Sequence, residues 1–127
     1  MRDADSRGFL TFDLRDVLAC LGSDAIERTW RCEGVDCSGE GSDEMFDVEY
    51  RRLNVPGRKL IDLSHRILRI IDGTFYGRRP GENVPSIVVR SVDGTSWQVF
   101  ANDKCLRKIE SGFTDVRPAR SDAGSPR

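Results

Sequence analysis

Leu60, Ile61, Leu63, Ile67, Leu68, Ile70 and Ile71 fall on one arc of roughly 180° when residues are set 3.6 to the turn. That spacing predicts an amphipathic helix over 57–72. Arg58, Lys59, Asp62, Arg66 and Arg69 lie on the other side, where Asp62 precedes Arg66 by one turn as a supporting ion pair. Ser64 sits mid-arc, small enough to let another element approach closely. An apolar arc this wide must be covered, since each buried Leu or Ile contributes roughly 1.5–3 kcal/mol, and a sheet is the expected cover. Asp72-Gly73 ends the helix, with glycine as its left-handed terminator.

Pro56, Pro80-Gly81 and Pro85 punctuate the chain, leaving 74–84 as a surface loop of a length that often carries function. From Ser86 the pattern becomes β, with runs at 87–92 and 95–100 around Asp93-Gly94, a type I′ hairpin signal. A two-residue turn sets Val92 against Thr95, Arg90 against Trp97 as a cation–π pair, and Val88 against Val99. Val88, Arg90, Val92, Trp97 and Val99 then share one face, and Ile87, Val89, Gln98 and Phe100 the other. Apolar residues on both sides predict a hairpin near the middle of its sheet. Asn102 or Asp103 caps a last short helix with Leu106, Ile109 and Phe113 inward and Gly112 as its close.

In the N-terminal half, Leu14, Val17, Leu18 and Leu21 predict a helix over 13–21, capped by Asp13 and stopped by Gly22. Trp30 and Cys32 alternate with Arg31 and Glu33, so 28–35 reads as a half-buried strand broken by Gly39 and Gly41. A second amphipathic helix follows over 42–53, with Phe46, Tyr50 and Leu53 on its apolar side. The expected class is α+β: a small single domain over 9–117, with a mixed or antiparallel sheet that includes the hairpin. That sheet packs on the amphipathic helix, with two or three shorter helices. Residues 1–8 and 118–127 are polar, lack periodicity and read as flexible tails.

No run approaches the ~20 apolar residues of a membrane span, and no secretory signal is evident, so a soluble, cytoplasmic protein is expected. Cys20, Cys32, Cys37 and Cys105 are then reduced, mostly buried small hydrophobes. Cys32, Cys37 and Cys105 with His65, the one histidine, make a nominal Cys₃His set, but the spacing lacks a compact knuckle and no metal or other cofactor is expected. His65 itself falls at the edge of the apolar arc, where a partly buried structural histidine is expected. With no nucleophile motif and no identifiable base, catalysis has no recognisable centre.

Charge is segregated under a formal net of −1: residues 1–50 hold 13 acidic and 5 basic side chains, and residues 51–79 hold 2 and 8. Glu33, Asp36, Glu40, Asp43, Glu44, Asp47 and Glu49 run without an intervening Lys or Arg. Such a run is either a solvated face paired within the molecule or a field that steers a basic partner. The expectation is a non-enzymatic module that binds another protein, in the manner of small bacterial-type inhibitors, immunity proteins and accessory factors. Its contact residues are Asp36, Glu40, Asp43, Glu44, Asp47 and Glu49. The alternative is nucleic-acid or small-anion binding through Arg66, Arg69, Tyr76, Arg78 and Arg79 in the Arg-rich 58–79 segment, opposed by a pI near 5.8. A further alternative is an enzyme using surface carboxylates. Val88, Val92 and Trp97 are candidates for a homodimer seam if no helix covers them.

Overall fold

A capping box opens the described chain: the Asp13 carboxylate accepts from the first turn of the helix, and the Asp13 N–H donates to Asp16 at 2.8 Å. The computed structural model describes residues 13–94 and 96–112, so both terminal segments and Phe113 lie outside the described residues. Helix α1 (Leu14–Leu21) stops at Gly22, whose φ of 59° suits glycine, and α2 (Ser23–Ile26) follows. Strand β1 (Thr29–Ser38), helix α3 (Ser42–Tyr50), β2 (Val55–Pro56), α4 (Gly57–His65), β3 (Arg69–Arg78), β4 (Ile87–Val92), β5 (Ser96–Phe100) and α5 (Asp103–Gly112) complete the α+β domain.

The strands form one antiparallel sheet in the order β2-β1-β3-β4-β5. Along β1 the buried residues are Trp30 and Cys32, then Val35 and Cys37, so the alternation slips by one residue at Gly34. A bulge absorbs the slip: Gly34 has φ 63°, and its N–H and that of Val35 both donate to the Glu49 carboxylate at 2.9 Å. Trp30, Cys32, Phe75, Ile87, Val89 and Trp97 join Leu14, Leu18, Met45, Leu60 and Leu63 in a single core. The other sheet face carries Arg31, Tyr76, Arg90 and Gln98 between the strands' inward residues, as antiparallel sheets commonly do.

The predicted helix over 57–72 is half helix and half strand. Its first part, α4, buries Gly57, Leu60, Leu63 and Ser64, with α1 and α2 as its main neighbours and β1 and β2 of the sheet beside them. A Cβ on Gly57 would stand 2.0 Å from the Ala25 carbonyl oxygen, so that helix begins in direct contact with α2. Past Arg66 the chain turns into the sheet, where the Leu68 N–H donates to the Ser38 carbonyl and the Ile70 N–H to Asp13. Ile70, Ile71 and the nominal loop through Arg78 therefore belong to β3, leaving Leu68 exposed. Ladder bonds to β1 and β4 on both sides of β3, joined by the strand preference of Ile70, Ile71, Thr74, Phe75 and Tyr76, outweigh the helical spacing of the apolar residues.

The hairpin is present, with Asp93 and Gly94 at φ 52° and 68°, but the ladder resumes at Val92–Ser96. That extra loop residue shifts the register by one, so Trp97 opposes Ser91 on the buried face and Arg90 opposes Gln98. The predicted Arg90–Trp97 pairing and the Val88–Val92–Trp97 seam are thereby dissolved. The hairpin also lies at the sheet margin, with β5 as an end strand. Helix α5 starts where predicted, its Asn102 side chain accepting from the Cys105 N–H, and buries Cys105 and Ile109. No helix among the described residues is long and apolar enough to cross a membrane.

Candidate interaction surface

Helix α3 is turned by its attachments to β1. Met45 lies buried with its sulfur 3.9 Å from that of Cys32, Val48 is buried beside it, and Glu49 reaches the bulge. Residues 45, 48 and 49 must then face the sheet, which sends 43, 46, 47 and 50 outward. Phe46, Tyr50 and Leu53, expected on the inner side, are instead exposed, Phe46 at 40 % and Tyr50 at 89 %. The helix was legible in the sequence; its orientation was not, because Glu49 reads as one more surface charge until the bulge appears.

The acidic run divides into engaged and open members. Glu49 is committed to the β1 backbone. Glu44 bridges Lys59 and Arg66, and these cations hold its carboxyl below the usual glutamate range. Asp47 pairs with Arg51 at 3.4 Å, but both side chains are solvated and the pair is weak. Asp36, Glu40 and Asp43 are exposed and have no cationic partner among the described residues. Asp43, Phe46, Asp47 and Tyr50 follow at i, i+3, i+4 and i+7, forming one stripe along the helix with Glu40 ahead of it.

The Arg-rich set does not converge. Arg66 is held by Glu44 at 2.9 Å and Asp62 at 3.3 Å, and Arg79 by a single oxygen of Glu27 at 2.9 Å. Arg69 and Arg78 open and close β3, roughly 30 Å apart at the rise of an extended strand. Tyr76 lies on the sheet face away from the core, with the Arg31 guanidinium 5.6 Å from its ring; partial burial and a hydrogen bond to Glu33 raise its phenol. A polar cleft of about 410 Å³ lies between Arg31, Cys32, Glu33, Glu49 and Arg52. Its thiol is no nucleophile, because burial pushes Cys32 up to about 12.

The four cysteines are free thiols, with Cys32, Cys37 and Cys105 buried. Cys32 and Cys37 point inward from β1, Cys105 lies on α5, and His65 is exposed at the end of α4 in place of the partly buried position expected. Among the described residues no three His, Cys, Asp or Glu side chains are grouped to hold a metal ion.

A cluster the sequence did not announce lies at the other end of the core. Arg28 is 1 % exposed and Asp24 4 %, and the Asp24 carboxylate receives Lys108 at 2.6 Å. Arg28 donates to the Asp24 carbonyl and to Ser86, and Glu82 holds Ser86 and the Arg79 N–H in turn. This network ties α2, the β3–β4 loop and α5 together. Its groups are mutually satisfied, which marks it as a structural pin. Comparison of the chain with protein-family models, curated proteins and solved structures finds no match.

Proposed function

We propose that this domain is a non-enzymatic binding module that captures a protein partner of basic surface on the outer stripe of α3. The observation that carries this reading is the exposure of Tyr50 and Phe46 beside Glu40, Asp43 and Asp47. Rigid aromatics supply contact area at low entropic cost and are enriched among residues that dominate interface energetics. The open carboxylates of Glu40 and Asp43, with Asp47 only weakly held by Arg51, speed encounter with a cationic surface and fix its orientation. An inhibitor, immunity or accessory role fits a small domain whose exposed aromatic and acidic side chains suit recognition. Nucleic-acid binding through Arg66 and Arg79 fits poorly, since both guanidiniums already answer carboxylates of the same chain.

The test is affinity capture with the intact chain against two variants, Asp43→Lys/Asp47→Lys and Tyr50→Ala. All three positions are exposed, so melting temperatures should stay close to the parent's. Each variant is expected to weaken retention of the same basic partner by at least about tenfold. Added salt should weaken the parent complex and leave the Tyr50 contribution in place. Equal retention by both variants would remove α3 as the contact surface.

A further inference from the structure

Helix α3 ends in a Schellman turn, with the Arg52 N–H returning to the Glu49 carbonyl and the Leu53 N–H to the Val48 carbonyl, both at 3.0 Å. The turn holds Arg52 at φ 54°, a conformation in which glycine is the usual residue and a side chain is strained. No carboxylate among the described residues pairs with its guanidinium. Arg52 instead lines the cleft of about 410 Å³ with Arg31, Cys32, Glu33 and Glu49, and strained residues concentrate at ligand sites. The β1 side of that cleft is open strand edge. The Gly57 N–H donates to the Arg28 carbonyl and the Gly34 N–H to Glu49, so Arg28, Trp30, Cys32 and Gly34 turn their backbone groups away from β3. β2 reaches no further than Trp30, and Glu49 occupies the edge at Gly34. The Cys32 N–H and C=O lie between them, and nothing among the described residues bonds to either.

A free backbone donor and acceptor on one residue match a peptide unit, which offers both in return, and not a bare anion. β2 and Glu49 close the edge on either side of Cys32, so one ligand residue can pair there and an internal segment has no room to run through. The end of a chain meets that limit. Charge selects which end: Glu33 is paired with Arg31 at 3.6 Å and Glu49 accepts from two backbone N–H groups, while Arg52 is uncommitted. We infer that the cleft captures the C-terminal residue of a partner polypeptide in extended conformation. The ligand's last backbone N–H donates to the Cys32 carbonyl, and its terminal carboxylate accepts from the Cys32 N–H and from the Arg52 guanidinium. This site goes beyond the α3 reading and uses none of the stripe's side chains.

An array of short peptides anchored by their N-termini, covering every pairing of the last two residues, tests the site when probed with the full chain. Each peptide is presented with a free C-terminal carboxylate and again as the amide. Retention by a subset of the free acids is expected, with the matching amides at least about tenfold weaker in solution titration. Arg52→Gly suits the left-handed turn, so its melting temperature should equal or exceed the parent's while it binds the same acids at least about tenfold more weakly. Hydrogen exchange should show the Cys32 amide slowed by saturating peptide. No preference for free acids over amides would overturn the proposal, as would undiminished binding by Arg52→Gly. Amidated peptides retained through an internal Asp or Glu would assign the cleft to side-chain carboxylates and overturn the choice of a chain end. Displacement of the peptide by an equal concentration of acetate would reduce the site to simple anion binding and overturn it too. None of these results bears on retention by the Tyr50 variant, so the two readings fail independently.

Discussion

Replacing Asp24 with asparagine removes a charge and keeps the shape. The Asp24 carboxylate takes Lys108 at 2.6 Å and stands 3.5 Å from the Arg28 guanidinium and 3.7 Å from that of Arg79. Lys108 and Arg79 are partly solvated and can turn to water, so they add little to the loss. Arg28, at 1 % exposed, cannot. It keeps the Asp24 carbonyl at 2.7 Å, Ser86 at 2.9 Å and the half-exposed Glu27 carboxylate at 3.6 Å, which places the loss at the lower end for a broken buried pair, about 3 kcal/mol. In a domain of about 100 residues that lowers the melting temperature by roughly 10–20 °C. Urea unfolding of parent and variant at pH 7 measures it directly. The effect should also carry a pH signature, because the hydrogen bond from Lys108 holds the Asp24 carboxyl below its ordinary 3.8. A depressed acid stabilises the fold above its unfolded pKa and loses that contribution as pH falls through the folded value. The gap between parent and variant should therefore close in acid. Asp13 has the opposite sign: burial raises its carboxyl above 3.8, so ionising it as pH rises through that window costs stability in both proteins and cancels in the comparison. A loss below about 1 kcal/mol at pH 7, or one that persists undiminished in acid, would refute this account of the pin.

Three further outcomes follow from the packing. Met45→Ala should cost about 3 kcal/mol and Phe46→Ala less than about 1 kcal/mol; comparable losses in urea titration would mean α3 is turned the other way. Gly77→Ala drives a Cβ to 2.8 Å from the ring of Trp30 and should cost about 2 kcal/mol, with a change in tryptophan emission; a neutral result would show that the indole can move aside. Burial pushes Cys32 up to about 12 and Cys37 up to about 11, so both should resist a thiol reagent at pH 8 in the native protein and titrate after denaturation. Fast native labelling located at Cys32 by mass spectrometry would contradict that burial.

Local signals sufficed wherever one short stretch of chain decides its own conformation. Asp13 with Asp16 and Gly22 bound a helix from sequence because a cap and a left-handed stop act within a turn. The β1 strand, the Asp93-Gly94 turn and the Asn102 cap were legible for the same reason. Much of the α3 stripe was visible as an acidic run, but its aromatic half was assigned to the core.

The sequence determined the α+β class, the single core and most element starts, because hydrophobic spacing, capping and turn chemistry are short-range. Tertiary structure alone decided whether Ile70 and Ile71 lie in a helix or a strand, since their spacing serves either and the ladders with β1 and β4 choose. It decided that Gly73 and Gly77 are packing sites against Val35, Phe75 and Trp30, where the sequence suggests a helix stop at Gly73 and a loop at Gly77. It also decided which carboxylates stay open and which aromatics face water, because one long-range bond, Glu49 to the β1 bulge, sets the rotation of α3. A contact between residues 15 apart in the chain leaves no periodic trace in the sequence, and the proposed binding surface depends on that contact.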